Sequence, residues 1–176
     1  MAASAAQILR LDVEKEADVY EIRVEMEVDA PAESVRAILT DYANLDRLNA
    51  SITTSEIIGT DSNGTVRVLT RMKNCVLLFC MNVQKVEEVT EDERGRILVT
   101  IVPDSSSFRS GQASWELLST TNGTRVIHQA RMEPDMLIPP LLGTAILKNT
   151  LRNEILESFR KLVCLASREC GPGFEI

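Results

Sequence analysis

The strongest constraint on the fold lies in residues 139–167, PPLLGTAILKNTLRNEILESFRKLVCLAS. Leu147, Leu151, Ile155 and Phe159 recur every fourth residue, and Leu162 and Val163 continue the stripe. Lys148, Asn149, Arg152, Asn153, Glu157, Arg160 and Lys161 fill the gaps. This spacing predicts an amphipathic helix with one broad apolar face. About 25 residues at roughly 1.5 Å each make a rod nearly 40 Å long. A chain of 176 residues, enough for one domain, must supply a cover of that length.

The cover is read from the residues before it. Val19–Val28 alternates: Tyr20, Ile22, Val24, Met26 and Val28 face one way, and Glu21, Arg23, Glu25 and Glu27 the other. That is a strand with a dry face and a wet face. In the next segment Pro31 suits a first helical position, Glu33 suits the positive first turn, and Val35, Ile38, Leu39 and Tyr42 form a stripe. Asn44 to Asn49 reads as a turn or a second short helix. Strands are then expected over Ile52–Ile58, Thr65–Lys73, Met81–Val89 and Ile97–Val102, around Ala113, Trp115 and Leu117, and over Val126–Met132. Gly59 to Gly64, Asp92 to Gly95 and Thr121-Asn122-Gly123 supply the turns. The fold class is therefore α+β: a curled antiparallel sheet of six to seven strands, one or two short helices after the first strand, and one long helix at the end. The expected boundaries are a flexible segment at 1–18, a domain at 19–168 and a tail at 169–176.

Composition narrows the function. An apolar fraction of 44% can build a sizeable core, and no run of 18 apolar residues spans a bilayer. A net charge of −7 argues against nucleic acid and against tight binding to anionic membranes. One histidine makes a His-based metal centre or a triad hard to build, so no metal and no cofactor are expected. At the start, Ala3-Ser4-Ala5 has the small-x-small form of a signal-peptidase site without an apolar stretch before it. Two readings stand there: a flexible alanine-rich start, or the remnant of a signal peptide.

The segment EMEVDAPAESVRAILTDYANLDRLN resembles the opening of the START-like (SRPBCC) superfamily, which includes polyketide cyclases, coenzyme Q-binding proteins and Bet v 1-like proteins. The residues carrying the likeness are Val28-Asp-Ala-Pro31, Val35, Asp41-Tyr42 and Leu45. The meander and the long last helix extend it over Tyr20 to Ala166. Asn74 to Cys80, Pro103 to Phe108 and Glu133 to Pro140 look like a bacterial group of often exported proteins. The resemblance implies a helix-grip fold in which sheet and last helix enclose a cavity. It also implies a lipid, sterol, isoprenoid quinone or aromatic polyketide as ligand, with catalysis in only some members.

Several residues are weighed against plainer roles. Cys75 and Cys80 are five apart and would point to opposite faces of one strand, but could bridge across a hairpin tip in an oxidising compartment. The alternative is two reduced, buried cysteines. A bridge between Cys164 and Cys170 has no support in the pattern. Val76 to Phe79 is either a strand end in the core or a gate at the cavity mouth that touches lipid transiently. His128 shares a face with Val126, Ala130 and Met132 and is read as a polar anchor or a satisfied core histidine. Arg71, Lys73, Arg125 and Arg131 are read as the solvated outer face.

The reading favours a non-enzymatic binding or carrier protein for a hydrophobic small molecule, lined by Leu147, Leu151, Ile155, Phe159, Trp115, Met132, Phe79 and Phe108, with His128 as the polar member. Periplasmic or exported location is expected, with the cytoplasm as alternative. The competing readings are an aromatase or cyclase using His128, Tyr42 and Arg71, and a protein-interaction module docking through residues 75–80.

Overall fold

The computed structural model describes residues 6–76, 79–136 and 143–167. Among these residues are eight strands: β1 (Ala6–Glu16), β2 (Val19–Val28), β3 (Ile52–Thr60), β4 (Val66–Val76), β5 (Phe79–Glu91), β6 (Ile97–Ile101), β7 (Phe108–Thr120) and β8 (Gly123–Pro134). They form one antiparallel sheet in the order β1-β2-β8-β7-β6-β5-β4-β3. Helix α1 (Ala32–Leu39) and a 3-10 turn (Tyr42–Arg47) follow β2, and helix α2 (Thr144–Ser167) ends the described chain. This is the expected α+β helix-grip architecture with eight strands rather than six to seven.

The alternation of β2 does what its pattern requires. Tyr20, Ile22, Val24, Met26 and Val28 are at most 5% exposed, so this face is core along its whole length. Val126 and Ala130 on the register-paired β8 continue it, and Phe159, Leu162 and Val163 of α2 close over it. Burial of these side chains, at roughly 1.5–3 kcal/mol each for the larger ones, is the main force holding helix to sheet.

The extra strand lies where a flexible start was expected. β1 pairs with β2 from Ala6↔Val28 to Glu16↔Val19, with a register shift between Ile8 and Arg10. Leu9 is the additional residue, and it is 41% exposed. Ala6 is buried before the bulge, and Leu11 and Val13 after it. One extra residue switches the inward parity from even to odd. The segment 1–18 is thus corrected: from Ala6 on it is an edge strand of the domain.

An open edge exposes unpaired backbone groups, and α2 covers part of this one. Arg152 Nη1 donates to the Leu11 carbonyl at 2.8 Å, and Lys148 Nζ lies 3.3 Å from Glu14 Oε2. On the helix's other flank, Ser51 Oγ donates to Glu154 Oε2 at 2.8 Å and Asn49 Nδ2 donates to Ser158 Oγ at 3.2 Å. The middle of α2 is therefore tethered to β1 on one side and to the start of β3 on the other. Pro31 occupies the cap of α1, one position earlier than expected, and its carbonyl accepts from Ser34 and Val35 N–H. The head of the expected last helix, residues 139–142, lies outside the described residues.

Candidate functional site

The concave face of β3–β8 and the turn of α2 around Phe159 leave a cavity of about 290 Å³ between them. Each strand contributes through its inward parity: Val68, Thr70 and Met72 from β4, Ala113 and Trp115 from β7, His128, Ala130 and Met132 from β8. Tyr42, Leu45 and Leu48 close one side, and Ser158, Phe159 and Leu162 form the helical wall. The two alanines Ala113 and Ala130 are register partners. Small side chains paired in mid-sheet leave room that larger ones would fill.

The expected lining residues divide. Phe159, Trp115, Met132 and His128 meet at the cavity. Leu147, Leu151 and Ile155 do not line it: Leu147 is buried, and Leu151 and Ile155 pack against the core. The reason is length. Leu147 sits twelve residues before Phe159, about 18 Å along the helix axis, and the helix meets the cavity only through Ser158, Phe159 and Leu162. Phe108 is buried, yet it lies outside both the cavity and the main core cluster, beside the 3-10 turn Pro103–Ser105 that packs on β5 and β7. The side chain of Phe79 lies outside what the structure describes, as do Leu77 and Leu78. Cys75 and Cys80 face each other as register partners of β4 and β5, with Cα atoms 3.9 Å apart and sulfurs bonded. Cys164 is also disulfide-bonded, while Cys170 lies outside the described residues. Arg71 belongs to the outer face, its Nε donating to Gln84 Oε1 at 3.1 Å, and Arg125 and Arg131 pair with Glu25 and Glu21.

Polar groups also reach the cavity, which the sequence pattern did not suggest. Lys85 and Glu87, two apart on β5, both line it, and Lys85 Nζ lies 3.0 Å from Glu87 Oε1. Thr70, the register partner of Lys85, is 2% exposed and its Oγ1 makes no hydrogen bond. His128 stacks on Trp115 with ring centroids 3.8 Å apart, and its Nδ1 lies 3.1 Å from the Ser114 carbonyl. A carbonyl only accepts, so Nδ1 carries the proton and Nε2 is the unprotonated nitrogen. Burial pushes the His128 pKa down to about 4, with the Lys85 charge acting the same way and the Ser114 bond opposing. Tyr42 is likewise shifted upward, chiefly by burial and next by the Glu91 charge, with Arg36 opposing. The site is a mainly apolar chamber with polar groups spread over its walls, the charges of Lys85 and Glu87 among them offsetting each other.

Comparison with known proteins agrees with this geometry. The solved structure of the Zhui aromatase/cyclase from Streptomyces sp. R1128 superposes with a TM-score of 0.69 at 12% identity, over 90% of this chain and 99% of that one. A STAR-related lipid transfer protein from Xanthomonas axonopodis gives 0.61 at 19% identity, over 90% and 97%. A protein from Thermus thermophilus gives 0.65 at 19% identity, over 86% and 99%. At these identities the likeness speaks for the fold alone. No curated protein sequence matches the chain significantly. A family profile described as polyketide cyclase / dehydrase and lipid transport matches residues 20–167. With every strand but β1, the cavity lining and the closing helix in that span, the chain belongs to the polyketide cyclase / dehydrase and lipid transport family, within the START-like superfamily.

Proposed function

We propose that the protein binds and carries one hydrophobic small molecule, of the lipid, sterol or isoprenoid quinone kind, between the sheet and α2. The observation that carries this reading is the 290 Å³ cavity, walled mainly by apolar side chains and closed by Phe159 and Leu162. Each 100 Å² of apolar ligand surface buried there is worth about 2.5 kcal/mol before the costs of binding. Two structural neighbours of the same fold carry names of lipid transfer and of aromatase/cyclase activity, and both fit a reading in which the chamber holds an apolar molecule. A preparation made without detergent should release an apolar molecule into organic solvent in about one-to-one ratio. An empty extract, with no saturable uptake of an added apolar probe, would refute carriage.

A cyclase-type enzyme is the second reading, supported by His128 and Tyr42 both lining the cavity. It is weakened by Arg71, the third candidate, which lies on the outer face. Unchanged turnover of a polyketide chain after His128→Ala would remove His128 from that role. The bridged Cys75–Cys80 pair and the bonded Cys164 support an oxidising location, periplasmic or exported. Rapid thiol trapping in intact cells should leave these cysteines unlabelled; full labelling would place the protein in the cytoplasm.

A further inference from the structure

The walls of the chamber are not equally firm. On the helical side, Phe159, Leu162 and Val163 belong to the core, and α2 packs on β1 and α1. Toward β3 and the 3-10 turn Tyr42–Arg47, α2 makes no comparable packing contact. There the wall is residues 42–51, of which Tyr42, Leu45, Leu48 and Asn49 line the cavity. No residue of the 3-10 turn is buried, and the turn packs chiefly on β3, the edge strand of the sheet. A segment with so few buried contacts opens locally at low free energy.

Asn49 is the buried exception, and it ties this wall to the helix. Its Nδ2 donates to Ser158 Oγ at 3.2 Å, and Ser51 Oγ donates to Glu154 Oε2 at 2.8 Å. Asn49 Oδ1 accepts from the Ser51 N–H at 2.8 Å, and its carbonyl accepts from the Ile52 N–H at 3.1 Å. Asn49 and Ser51 therefore move as one turn, gripping two residues one helical turn apart on α2. Side-chain hydrogen bonds exchange with water at small net cost, so a seam held by them opens more readily than one filled with apolar side chains. Resting on the apolar-ligand reading above, we infer that the ligand passes through the seam between residues 42–51 and α2, and that the Asn49–Ser158 and Ser51–Glu154 bonds are the latch holding it shut.

The test is exchange of the neutral dye N-phenyl-1-naphthylamine, followed by stopped flow through Trp115, the only tryptophan of the chain and part of the cavity lining. A latch limits entry and exit alike, so weakening it raises both rates and leaves Kd unchanged. A residue that only supports the bound ligand changes Kd instead. Ser51→Ala should raise both rate constants about three- to tenfold, the worth of one such bond. Glu154→Ala should do the same, and the double variant should match either one, since both remove the same bond. Arg152→Ala, which frees α2 from the Leu11 carbonyl on the opposite flank, should leave both rates at the parent values. Bridging Ser51→Cys to Glu154→Cys with 1,3-dichloroacetone should slow both rates; Cys75, Cys80 and Cys164 are already bonded and do not consume the reagent. Parent-like exchange in Ser51→Ala or in the bridged protein overturns the proposal, as does a change in Kd with the entry rate unaltered. An Arg152→Ala effect as large as that of Ser51→Ala puts the entrance on the β1 flank and overturns it too. If the dye does not bind the parent saturably, the apolar-ligand reading and this proposal fall together. If it binds and its exchange ignores the latch, only the present proposal falls.

Discussion

His128 is the single histidine of the chain, so its titration can be followed without ambiguity. Burial takes its pKa from 6.5 to about 4. A shift of that size, at about 1.4 kcal/mol per pH unit, corresponds to a penalty on the order of 3 kcal/mol against the protonated ring in the folded state. The folded value lies below the unfolded one, so the unfolded chain takes up the proton first as pH falls. The contribution to stability is therefore complete above pH 6.5, declines as pH falls through the window to about 4, and changes no further below it. Carboxylates titrate in part of the same window, so the comparison must be differential. Urea unfolding of the protein and of His128→Gln, each at about pH 7 and about pH 4.5, should show the parent losing about 2–3 kcal/mol more than the variant. The ring Hε1 proton resonance should stay constant from about pH 8 to about pH 5. A midpoint near 6.5, or parallel losses in the two proteins, would refute the assignment of His128 to a dry wall of the chamber.

Three further substitutions test the scaffold. Gly123 has φ +142°, and a Cβ there would overlap the Val28 carbonyl oxygen, so Gly123→Ala should cost more than about 2 kcal/mol in chemical denaturation. Ala17, in the β1–β2 turn, has φ 51°, so Ala17→Gly should raise stability by about 1 kcal/mol, read as a higher melting temperature. Replacing both Cys75 and Cys80 by Ser opens a six-residue loop and should cost about 2 kcal/mol by the chain-entropy account, with the fold retained by circular dichroism.

What could be read from sequence depended on whether one face of an element was uniformly dry. β2 met that condition, and its expected and observed limits coincide at Val19 and Val28. β1 did not: the bulged Leu9 reverses the parity in mid-strand, so Ala6, Leu11 and Val13 follow no single alternation. The stripe on α2 identified a buried face, and the strands before it identified the sheet as its cover, but not which stripe residues face the chamber. Leu147, Leu151 and Ile155 repeat like Phe159, and periodicity cannot tell a residue packed on the sheet from one facing a chamber. Lys85 and Glu87 were missed because charges on strands are normally assigned to solvent. β5 breaks that rule: its other face carries Val86, buried at 4% beneath residues 102–107, whose backbone and hydroxyls bond to it. A signal did exist. Val83, Lys85, Glu87 and Val89 share one parity, and opposite charges two apart between two valines mark a pair able to neutralise itself on an inward face.

The most direct test of the account is an intermolecular NOE map with N-phenyl-1-naphthylamine bound to the protein. Cross-peaks from the dye should reach the Trp115 indole, the Phe159 ring and the methyls of Ala113, Ala130 and Met132, which together surround the chamber. Contacts instead with the exposed Ile57 and Ile58 on β3, or the absence of any defined set, would contradict the claim that sheet and helix enclose a ligand site.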